Sequence, residues 1–393
     1  MMHVIKDAIH GDIRVDDVEL KLIDTPEVQR LRGIKQMAVA YLVYPGANHT
    51  RFEHSLGTME ITSKICENLS LSDEETKVMR AAALLHDVGH TAFSHETEAI
   101  LVRKRRGSHE QRGAEKVKEG ESGEILEDNG YDVKKVCSLI GAESKGGIID
   151  FDLGSDRMDY LLRDSHYTGV AYGVIDCDRL VYTIRLREGK AVVEWGGIEA
   201  AESLLIARFL MFSSVYYHHA VRIASAMLGR AVEFALEDGV ISLDELLGCT
   251  DAELGLALKN GERSGKLMER IEERKLFKRA YELEFYKLNN RGRELFKNYS
   301  GVKEVEERIR EESGVDDVIL ECRQGYDEKF GENRVNILRG SKEYSLEELS
   351  EIVRAIRKTE GMRRRAIVAC PKEDRKKVES SCESFFKRFL KEN

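Results

Sequence analysis

The chain has 393 residues, of which 62 are basic and 71 acidic, and its formal net charge is −9. Its 42% apolar residues suffice for a sizeable core, which excludes global disorder and makes structural disulfides unnecessary. The acidic balance argues against broad nucleic-acid binding. No apolar run is long enough to span a membrane, and the first residues lack the apolar stretch of a signal peptide, so we expect a soluble cytoplasmic protein.

The seven cysteines are scattered along the chain and include no C-x-x-C pair. This pattern argues against a disulfide framework and against a thiolate zinc site. We therefore expect reduced cysteines with mainly structural roles.

Helical periodicity dominates the first two thirds of the chain, and the whole sequence contains only three prolines. One exception is residues 180–195, where two β-rich runs, 181–186 and 191–195, flank a glycine-containing turn. This pattern predicts a β-hairpin inserted among helices. Charge runs and glycines predict loops at residues 103–108 and 119–130.

The sequence changes character near residue 298, where short strands begin to alternate with helices. We therefore predict a helical domain over residues 1–298 and a small C-terminal α/β lobe over residues 299–393. The fold class is mainly α, a helical bundle with an inserted β-hairpin. The predicted strands of the lobe are 315–321, 334–338 and 365–370, and its predicted helices are 346–358 and 372–390.

The most informative stretch is residues 81–95, where an Ala/Leu-rich helix delivers His86 and Asp87 side by side near its end. If the helix continues, His86 and His90 are four residues apart and both imidazoles can face one cavity. His54 upstream and the aspartates downstream, Asp156 and Asp159, can complete an octahedral site with open positions for water. This nitrogen and oxygen ligand set suits one divalent ion, Fe, Mn, Ni, Zn, Co or Mg.

A lone histidine is most often an ordinary core or surface residue. Six histidines crowd into one short region here, which weakens that interpretation. They are His49, His54, His86, His90, His95 and His109.

The order His54, His86-Asp87, Asp156 resembles the H…HD…D signature of the HD phosphohydrolase superfamily, whose fold is a helical bundle around a metal. The wider pattern resembles its deoxynucleoside triphosphate triphosphohydrolase branch and covers roughly residues 1–300. The resembling stretches are 9–11, 23–32, 34–36, 44–47, 51–55, 86–90, 93–95 and 156–164.

The resemblance implies a set of metal ligands and a set of catalytic residues. His95 would be the general acid that protonates the leaving 5′ oxygen, and Glu98 the carboxylate that orients it. For Glu98 a solvated helix face remains the alternative. The implied metal ligands are His54, His86, Asp87 and Asp156, and the implied catalytic residues are His90, His95, Glu98 and His109.

The resemblance also implies substrate contacts. Gln36 and Asp164 would test the 3′ hydroxyl, and Tyr160 and Tyr216 would pack on the sugar. The cations around the phosphates would be Arg51, Arg157 and Arg208, since guanidinium groups match phosphate oxygens. In the alternative interpretation the two tyrosines face the core and the arginines are surface charges.

A second nucleotide site follows from the same resemblance. Asp24, Gln29 and Arg32 match residues that read an activating guanine nucleotide, whereas the alternative is that Asp24 begins a helix as its cap. An adjoining activator nucleotide would contact Arg179, His218 and His219. The chain departs from the family pattern at Lys6, in place of asparagine, and at Thr91-Ala92, in place of Gly-Pro.

The leading hypothesis is metal-dependent hydrolysis of deoxynucleoside triphosphates (dNTPs) to deoxynucleoside and inorganic triphosphate, with GTP or dGTP as activator. The resemblance implies a homo-oligomer, a tetramer or a dimer. One alternative is an HD nucleotidase or phosphodiesterase acting on other nucleotides. Another is a nucleotide-sensing or nucleic-acid-binding module. Solvated faces explain the basic clusters 103–106 and 363–365 better than nucleic acid does, because no aromatic residues are interleaved with the charges.

Overall fold

A computed structural model describes residues 2–141, 147–322 and 335–391. The protein is mainly helical, which confirms the predicted fold class. It opens with an antiparallel hairpin of strands β1 (His3–Asp7) and β2 (Gly11–Val15). The helices that follow are α1 (Asp17–Ile23), α2 (Pro26–Gln29), α3 (Arg51–Asn68), α4 (Asp73–Leu85), α5 (His95–Arg103), α6 (His109–Glu119), α7 (Glu121–Asp128), α8 (Val133–Ile140) and α9 (Ser155–Thr168).

Helices α3, α4 and α9 form the centre of the bundle, since α3 packs against both of the others. Reciprocal caps define where two of them begin: Glu53 accepts hydrogen bonds from Thr50 before α3, and Glu75 does the same for Ser72 before α4. The apolar side chains between the helices are fully buried, and they include Met59, Ile61, Leu84, Leu85 and Leu161. This packing brings the C-terminal end of α4 and the first turn of α9 beside the N-terminal part of α3, where His54 lies. In the described residues, no helix has the length and apolar character required to cross a membrane.

The predicted hairpin is present but shorter than expected. Helix α10 (Cys177–Thr183) occupies the first residues of the predicted strand, because Asp176 caps it at Arg179 and buried Leu180 and Val181 face the core. Strands β3 (Ile184–Arg187) and β4 (Lys190–Glu194) then pair antiparallel. The chain continues through α11 (Ile198–Met211), a π-helical turn (Phe212–Tyr216), α12 (His219–Glu237), α13 (Leu243–Gly248), α14 (Asp251–Lys259) and α15 (Glu262–Glu272).

The C-terminal part alternates strands and helices, as predicted. In one sheet the strand order is β5-β9-β6, and in the other it is β3-β4-β7-β8. Its elements are β5 (Lys278–Glu284), α16 (Asn290–Glu294), α17 (Tyr299–Ser313), β6 (Ile319–Glu321), β7 (Asn336–Arg339), β8 (Lys342–Ser345), α18 (Leu346–Leu349), α19 (Glu351–Met362), β9 (Arg365–Cys370) and α20 (Arg375–Lys387). Strand β5 precedes residue 298 and β4 belongs to the inserted hairpin, so both sheets include strands from before the predicted boundary. The division at residue 298 stays a prediction, and Arg334, the first residue of one predicted strand, lies outside the described residues.

Two local predictions were wrong. Residues 121–128 form helix α7 instead of a loop, because Ser122 and Leu126 are buried against the bundle despite the surrounding glutamates and glycines. The predicted helix 346–358 is divided at Ser350, whose hydroxyl accepts a hydrogen bond from the Val353 amide and so starts α19 as a new helix. All seven cysteines are thiols and not disulfides in the described structure, as expected.

Candidate metal centre and nucleotide pocket

The four predicted metal ligands converge from three helices. Helix α3 carries His54, α9 carries Asp156, and α4 ends at Leu85, so that His86 and Asp87 lie at its C-terminal end. His54 Nε2 lies 3.0 Å from Asp156 Oδ1 and 3.8 Å from Asp87 Oδ2. His86 Nε2 lies 3.3 Å from Asp87 Oδ1. One ligand atom from each of His54, His86 and Asp87 falls within 4.8 Å of the others, a grouping suited to a single ion.

The side chains fit a divalent metal on their own geometry. His86 Nδ1 lies 2.7 Å from the carbonyl oxygen of Ala83, which orients the ring and leaves Nε2 as the ligand atom. That nitrogen is buried and has no hydrogen-bond partner among the described residues, although it faces carboxylates. A cation shared by two imidazoles and two carboxylates satisfies it, and this oxygen and nitrogen set matches the metals that the sequence predicted.

A buried network orients His54. Its Nδ1 lies 2.7 Å from Asp159 Oδ2, and Asp159 in turn accepts hydrogen bonds from Arg163. His10 Nε2 lies 2.6 Å from the other carboxylate oxygen of Asp159. Burial lowers the pKa of His54, but the hydrogen bonds to Asp156 and Asp159 outweigh it and raise the pKa to about 10. The position therefore favours positive charge, either a proton or a metal ion.

The loop after Asp87 is held in place from both sides. Arg30 donates hydrogen bonds to the carbonyl oxygens of Val88 at 2.9 Å and His90 at 2.6 Å. A Cβ at Gly89 would overlap the carbonyl oxygen of His109 and the amide of Gly113, so only glycine lets the loop lie directly on α6. The helix that would have placed His90 four residues after His86 does not continue, and this loop positions His90 instead.

Three histidines form a row beside the metal ligands. His90 Nε2 lies 3.3 Å from Asp87 Oδ1, and its ring stacks on His109 with centroids 3.9 Å apart. Burial, Arg51 and His109 together lower the pKa of His90 well below its usual value. Burial also opposes charge on His109, but Glu98 outweighs it and raises the pKa of this imidazole. The row therefore combines a neutral imidazole with one whose charged form is favoured.

Glu98 lies between two of these histidines. Its carboxylate is 2.6 Å from His109 Nδ1 and 3.5 Å from His95 Nδ1. Burial would raise the pKa of Glu98, but the hydrogen bonds to His109 and His95 hold it well below its usual range. The structure thus brings the four predicted catalytic residues together and makes His109 the closer partner of Glu98. His95 remains half exposed, with 50% of its side chain accessible.

Arg51 links the metal ligands to the loop that precedes His95. Its guanidinium donates to Asp87 Oδ2 at 2.6 Å and to Ser94 Oγ at 2.6 Å. Because of these bonds the predicted phosphate ligand Arg51 also holds Asp87, a predicted metal ligand, in position. Phe93 and Ser94 both adopt positive φ angles, of 53° and 45°, which is uncommon for residues other than glycine.

Asp251, at the start of α14, stabilises this strained turn. Its carboxylate accepts a hydrogen bond from the Phe93 amide at 2.7 Å and another from the Lys35 amide at 2.9 Å. Lys35 precedes the predicted substrate residue Gln36. Sequence reasoning missed Asp251, because an acidic residue in the first turn of a helix is common and gives no sign of a distant contact.

A second polar cluster surrounds Asp164, one of the predicted sugar-binding residues. Tyr216 donates a short hydrogen bond to one carboxylate oxygen, and His49 Nε2 lies 2.7 Å from the other. The His49 ring stacks on Tyr167 at 4.7 Å, and the His49 carbonyl accepts a hydrogen bond from the Gln36 amide. The side-chain oxygen of Gln36 and Nδ1 of His49 are buried without hydrogen-bond partners in the described residues. His49 thus joins the predicted cluster, although only its place among the crowded histidines singled it out beforehand.

Arg157 and Arg208, the two other predicted phosphate ligands, meet at Asp152. This buried carboxylate lies 3.1 Å from Arg208 and 3.7 Å from Arg157. Burial lowers the pKa of Arg157, but Asp152 and its other neighbours more than compensate and keep it charged. Tyr160 lies one helical turn after Arg157 on α9 and is half-buried against the main core.

Of the three residues predicted to read an activating guanine nucleotide, Gln29 and Arg32 contact each other. Arg32 donates to the Gln29 side chain at 2.9 Å and stacks on the Phe52 ring at 3.5 Å, while Gln29 donates to the carbonyl of Ile23. Asp24 is exposed at the end of α1, and Thr25 is the residue that precedes α2, so Asp24 is not the cap of that helix.

The adjoining predicted residues lie on other helices. Arg179, on α10, donates to the carbonyl of Gly196. His218 and His219 stack on each other at the start of α12, with ring centroids 4.7 Å apart. The His218 ring also meets the Tyr44 ring edge-on, with centroids 6.1 Å apart. The role of these three residues in binding an activator stays a prediction.

Two regions of the chain match known families: residues 51–180 match the HD domain, and residues 175–391 match the HD associated region. The chain belongs to the HD-domain phosphohydrolase superfamily. An uncharacterized protein of Methanocaldococcus jannaschii is 39% identical over 100% of this chain and 84% of its own length. The crystal structure of a hypothetical protein from Aquifex aeolicus superposes with a TM-score of 0.77 at 32% identity, covering 97% of this chain and 100% of that one.

Some of the relatives have an activity in their names. The deoxynucleoside triphosphate triphosphohydrolase SAMHD1 homolog of Dictyostelium discoideum is 29% identical over 63% of this chain. The chain spans about half, 51%, of the length of that relative. The match to the HD domain confirms the predicted superfamily and agrees with a hydrolase that binds a divalent metal.

Proposed function

We propose that this protein is a metal-dependent dNTP triphosphohydrolase that converts a dNTP and water to a deoxynucleoside and inorganic triphosphate. The observation that carries the proposal is the arrangement along α9. This helix contributes Asp156 to the metal centre, Arg157 to the cluster of cations, and Asp164 to the buried cluster that suits a sugar hydroxyl. The groups proposed to meet the phosphates thus lie in the first turn of α9, and the carboxylate proposed to meet the sugar hydroxyl lies about two turns further along the same helix.

A divalent metal held by the four predicted ligands supplies Lewis-acid activation of water and of a phosphoryl oxygen. In the reaction, the oxygen of water bonds to the α-phosphorus and the bond from phosphorus to the 5′ oxygen breaks. The proton that the water gives up passes to solvent, from which His95 is protonated again after turnover. His95 donates the proton that the leaving 5′ oxygen needs, and Glu98 accepts hydrogen bonds from His95 and His109. Arg51, Arg157 and Arg208 offset the charge of the phosphates.

In this proposal Asp164 accepts a hydrogen bond from the 3′ hydroxyl, and the side-chain amide of Gln36 donates one to it. Tyr216 fixes Asp164, while Tyr160 packs on the sugar face and leaves no room for a 2′ hydroxyl. A ribonucleotide is rejected because its 2′ hydroxyl clashes with Tyr160 and is left without a hydrogen-bond partner. These two effects together can discriminate strongly between a ribonucleotide and a deoxyribonucleotide.

The proposal includes an activator and an assembly. A guanine nucleotide binds at Asp24, Gln29 and Arg32, beside Arg179, His218 and His219 of an adjoining nucleotide. The active form is a homo-oligomer, a dimer or a tetramer. The Dictyostelium relative, named for dNTP hydrolysis, supports the choice of substrate over other nucleotides.

The test is a panel of the four dNTPs with Mn²⁺, Mg²⁺, Fe²⁺ or Co²⁺, each with and without GTP or dGTP. Chromatography should show equal amounts of deoxynucleoside and triphosphate from at least one dNTP. His86→Ala serves as the inactive control, because it removes a metal ligand. The proposal fails if no dNTP is hydrolysed under any of these conditions, and release of free phosphate from monophosphates would instead identify a nucleotidase.

A further inference from the structure

His49 connects the two residues that the proposed function assigns to the 3′ hydroxyl of the sugar. Its imidazole Nε2 lies 2.7 Å from Asp164 Oδ1, and its main-chain carbonyl accepts a hydrogen bond from the Gln36 amide at 3.0 Å. Asp164 and Gln36 belong to distant parts of the sequence, on α9 and before α3. One residue therefore contacts both, through its ring and through its backbone.

The backbone around His49 is fixed relative to α9. The segments 34–36 and 49–51 run antiparallel and are joined by two backbone hydrogen bonds. A Cβ at Gly46 would lie 2.3 Å from the carbonyl oxygen of Tyr167, so only glycine lets the loop before His49 rest directly on the last turn of α9. The loop therefore holds His49 beside the helix that carries Asp164.

The orientation of the His49 ring follows from its contacts. The ring stacks on Tyr167, with centroids 4.7 Å apart and an angle of 18° between the planes. Because Nε2 faces a carboxylate oxygen, this nitrogen carries the hydrogen and donates it. Nδ1 is buried and has no hydrogen-bond partner among the residues that the structure describes. The one hydrogen bond that the ring makes to those residues is thus the bond to Asp164.

The Asp164 carboxylate is held from two sides. His49 donates to Oδ1 and Tyr216 to Oδ2, and only 3% of Asp164 is exposed to solvent. A carboxylate oxygen accepts more than one hydrogen bond, so both oxygens keep a lone pair for a ligand hydroxyl. The last torsion of an aspartate side chain is broad, so loss of one donor would let the carboxylate turn away from the direction in which it meets a ligand.

We propose that His49 is a positioning residue for recognition of the 3′ hydroxyl, whose ring aims the Asp164 carboxylate and whose backbone fixes Gln36. A nucleotide that has a 3′ hydroxyl pairs with both groups, whereas a 2′,3′-dideoxynucleotide leaves them unpaired. His49 acts through Asp164 and Gln36 and not by contact with the reacting atoms. This inference rests on the proposed function for the place of the sugar.

The test compares His49→Asn with His49→Gln, because these two amides differ by one methylene group. Glutamine can place an N–H donor near the position of Nε2, whereas the asparagine side chain is too short to reach Asp164. The control is His166→Gln, which replaces an exposed histidine on α9. Thermal melting shows whether each variant is folded.

The measured quantity is the ratio of kcat/KM for each of the four dNTPs to kcat/KM for its 2′,3′-dideoxy analogue. Damage to the metal centre or to folding lowers both values alike and cancels in the ratio. Calorimetry gives the corresponding ratio of dissociation constants, with each variant combined with His95→Ala so that turnover is slow. Binding is thereby measured independently of hydrolysis.

We expect the wild type to prefer the dNTP, and His49→Asn to lower that preference about tenfold, as for one lost hydrogen bond to a charged group. His49→Gln should recover part of the preference, and His166→Gln should keep all of it. The ratio of dissociation constants should change in the same direction. If His49→Asn does not fold, a lower ratio in His49→Gln than in His166→Gln supports the inference, and an equal ratio contradicts it.

The inference is overturned if both His49 variants keep the wild-type ratio, even when their activity falls, because a merely structural role would lower both rates alike. A wild type that does not distinguish a dNTP from its dideoxy analogue overturns it as well. If no dNTP is hydrolysed, the proposed reaction fails, and the ratio of dissociation constants still decides the role of His49. If no dNTP binds either, both proposals fail.

Discussion

Replacement of Asp251 by asparagine tests the role of this buried carboxyl, because the replacement has two opposing effects on the unfolding free energy. The carboxylate accepts hydrogen bonds from the amides of Phe93 and Lys35, whereas an asparagine side chain has one acceptor oxygen and turns its NH₂ group toward the other amide. A buried amide left without an acceptor costs about 1–3 kcal/mol. Against this, burial raises the pKa of Asp251 to about 6 from 3.8, so that its ionised form is unfavourable in the folded protein.

The sign of the pH dependence follows from that shift. A carboxyl whose pKa is raised on folding stabilises the folded state below its unfolded pKa, and the contribution is lost as the pH rises through 6. Between pH 4.5 and pH 7.5 this loss amounts to about 2 kcal/mol of unfolding free energy. Burial raises the pKa of Asp251 by more than the neighbouring charges of Lys35 and Arg51 lower it. An asparagine side chain does not titrate, so the Asp251→Asn variant lacks this contribution.

We therefore expect Asp251→Asn to cost about 1–3 kcal/mol of unfolding free energy at pH 4.5, and about 2 kcal/mol less at pH 7.5. Urea unfolding followed by circular dichroism at both pH values measures the unfolding free energy of the variant and of the wild type. The contributions of the other titrating groups cancel in the difference between the two proteins. The control is Asp244→Asn, an 80% exposed carboxyl in a surface ion pair, which should change stability by less than about 1 kcal/mol. A difference that grows with pH would refute the reasoning, since it would mean that the hydrogen bonds outweigh burial.

Three further predictions concern the catalytic centre. His86→Ala should abolish both metal content, measured by elemental analysis, and turnover, and retention of stoichiometric metal would rule out His86 as a ligand. His95→Ala should keep its metal and lower kcat by about 10²–10⁴-fold, as for loss of a general acid. If His109→Gln shows the larger loss of kcat, the proton donor is the histidine that lies closer to Glu98. Gly89→Ala should lower the unfolding free energy by about 1–3 kcal/mol, because its Cβ would overlap the His109 carbonyl, and an unchanged melting temperature would contradict this contact.

Sequence reasoning succeeded where one element or one short motif carried the signal. The His86-Asp87 pair was recognisable because it follows an Ala/Leu-rich helix, and its distant partners His54 and Asp156 came from a resemblance. The strand 365–370 was predicted correctly, since its apolar run is bounded by charges and a proline. Helix α7 was missed because its glycines and glutamates are typical of loops, whereas burial of Leu126 decided its structure.

The partners of the functional residues were harder to predict. Asp159 belonged to a recognised motif, but only the structure shows that it orients His54. Asp152 and Arg357 are separated by most of the helical bundle in sequence, and no local pattern connects them. Such contacts depend on which helix faces pack together, and side-chain periodicity indicates a buried face without saying which residues lie opposite it.

The sequence by itself indicated the residue types at the candidate metal centre, the mainly helical fold and the superfamily, because these depend on composition, on spacing within single helices and on short motifs. The tertiary structure alone decided which hydrogen-bond donors each carboxylate meets: His109 for Glu98, the Phe93 amide of the strained turn before His95 for Asp251, and arginines for Asp152. The physical reason is that hydrogen bonds and ion pairs act over a few ångströms. They are set only after distant helices have packed and excluded water from between them.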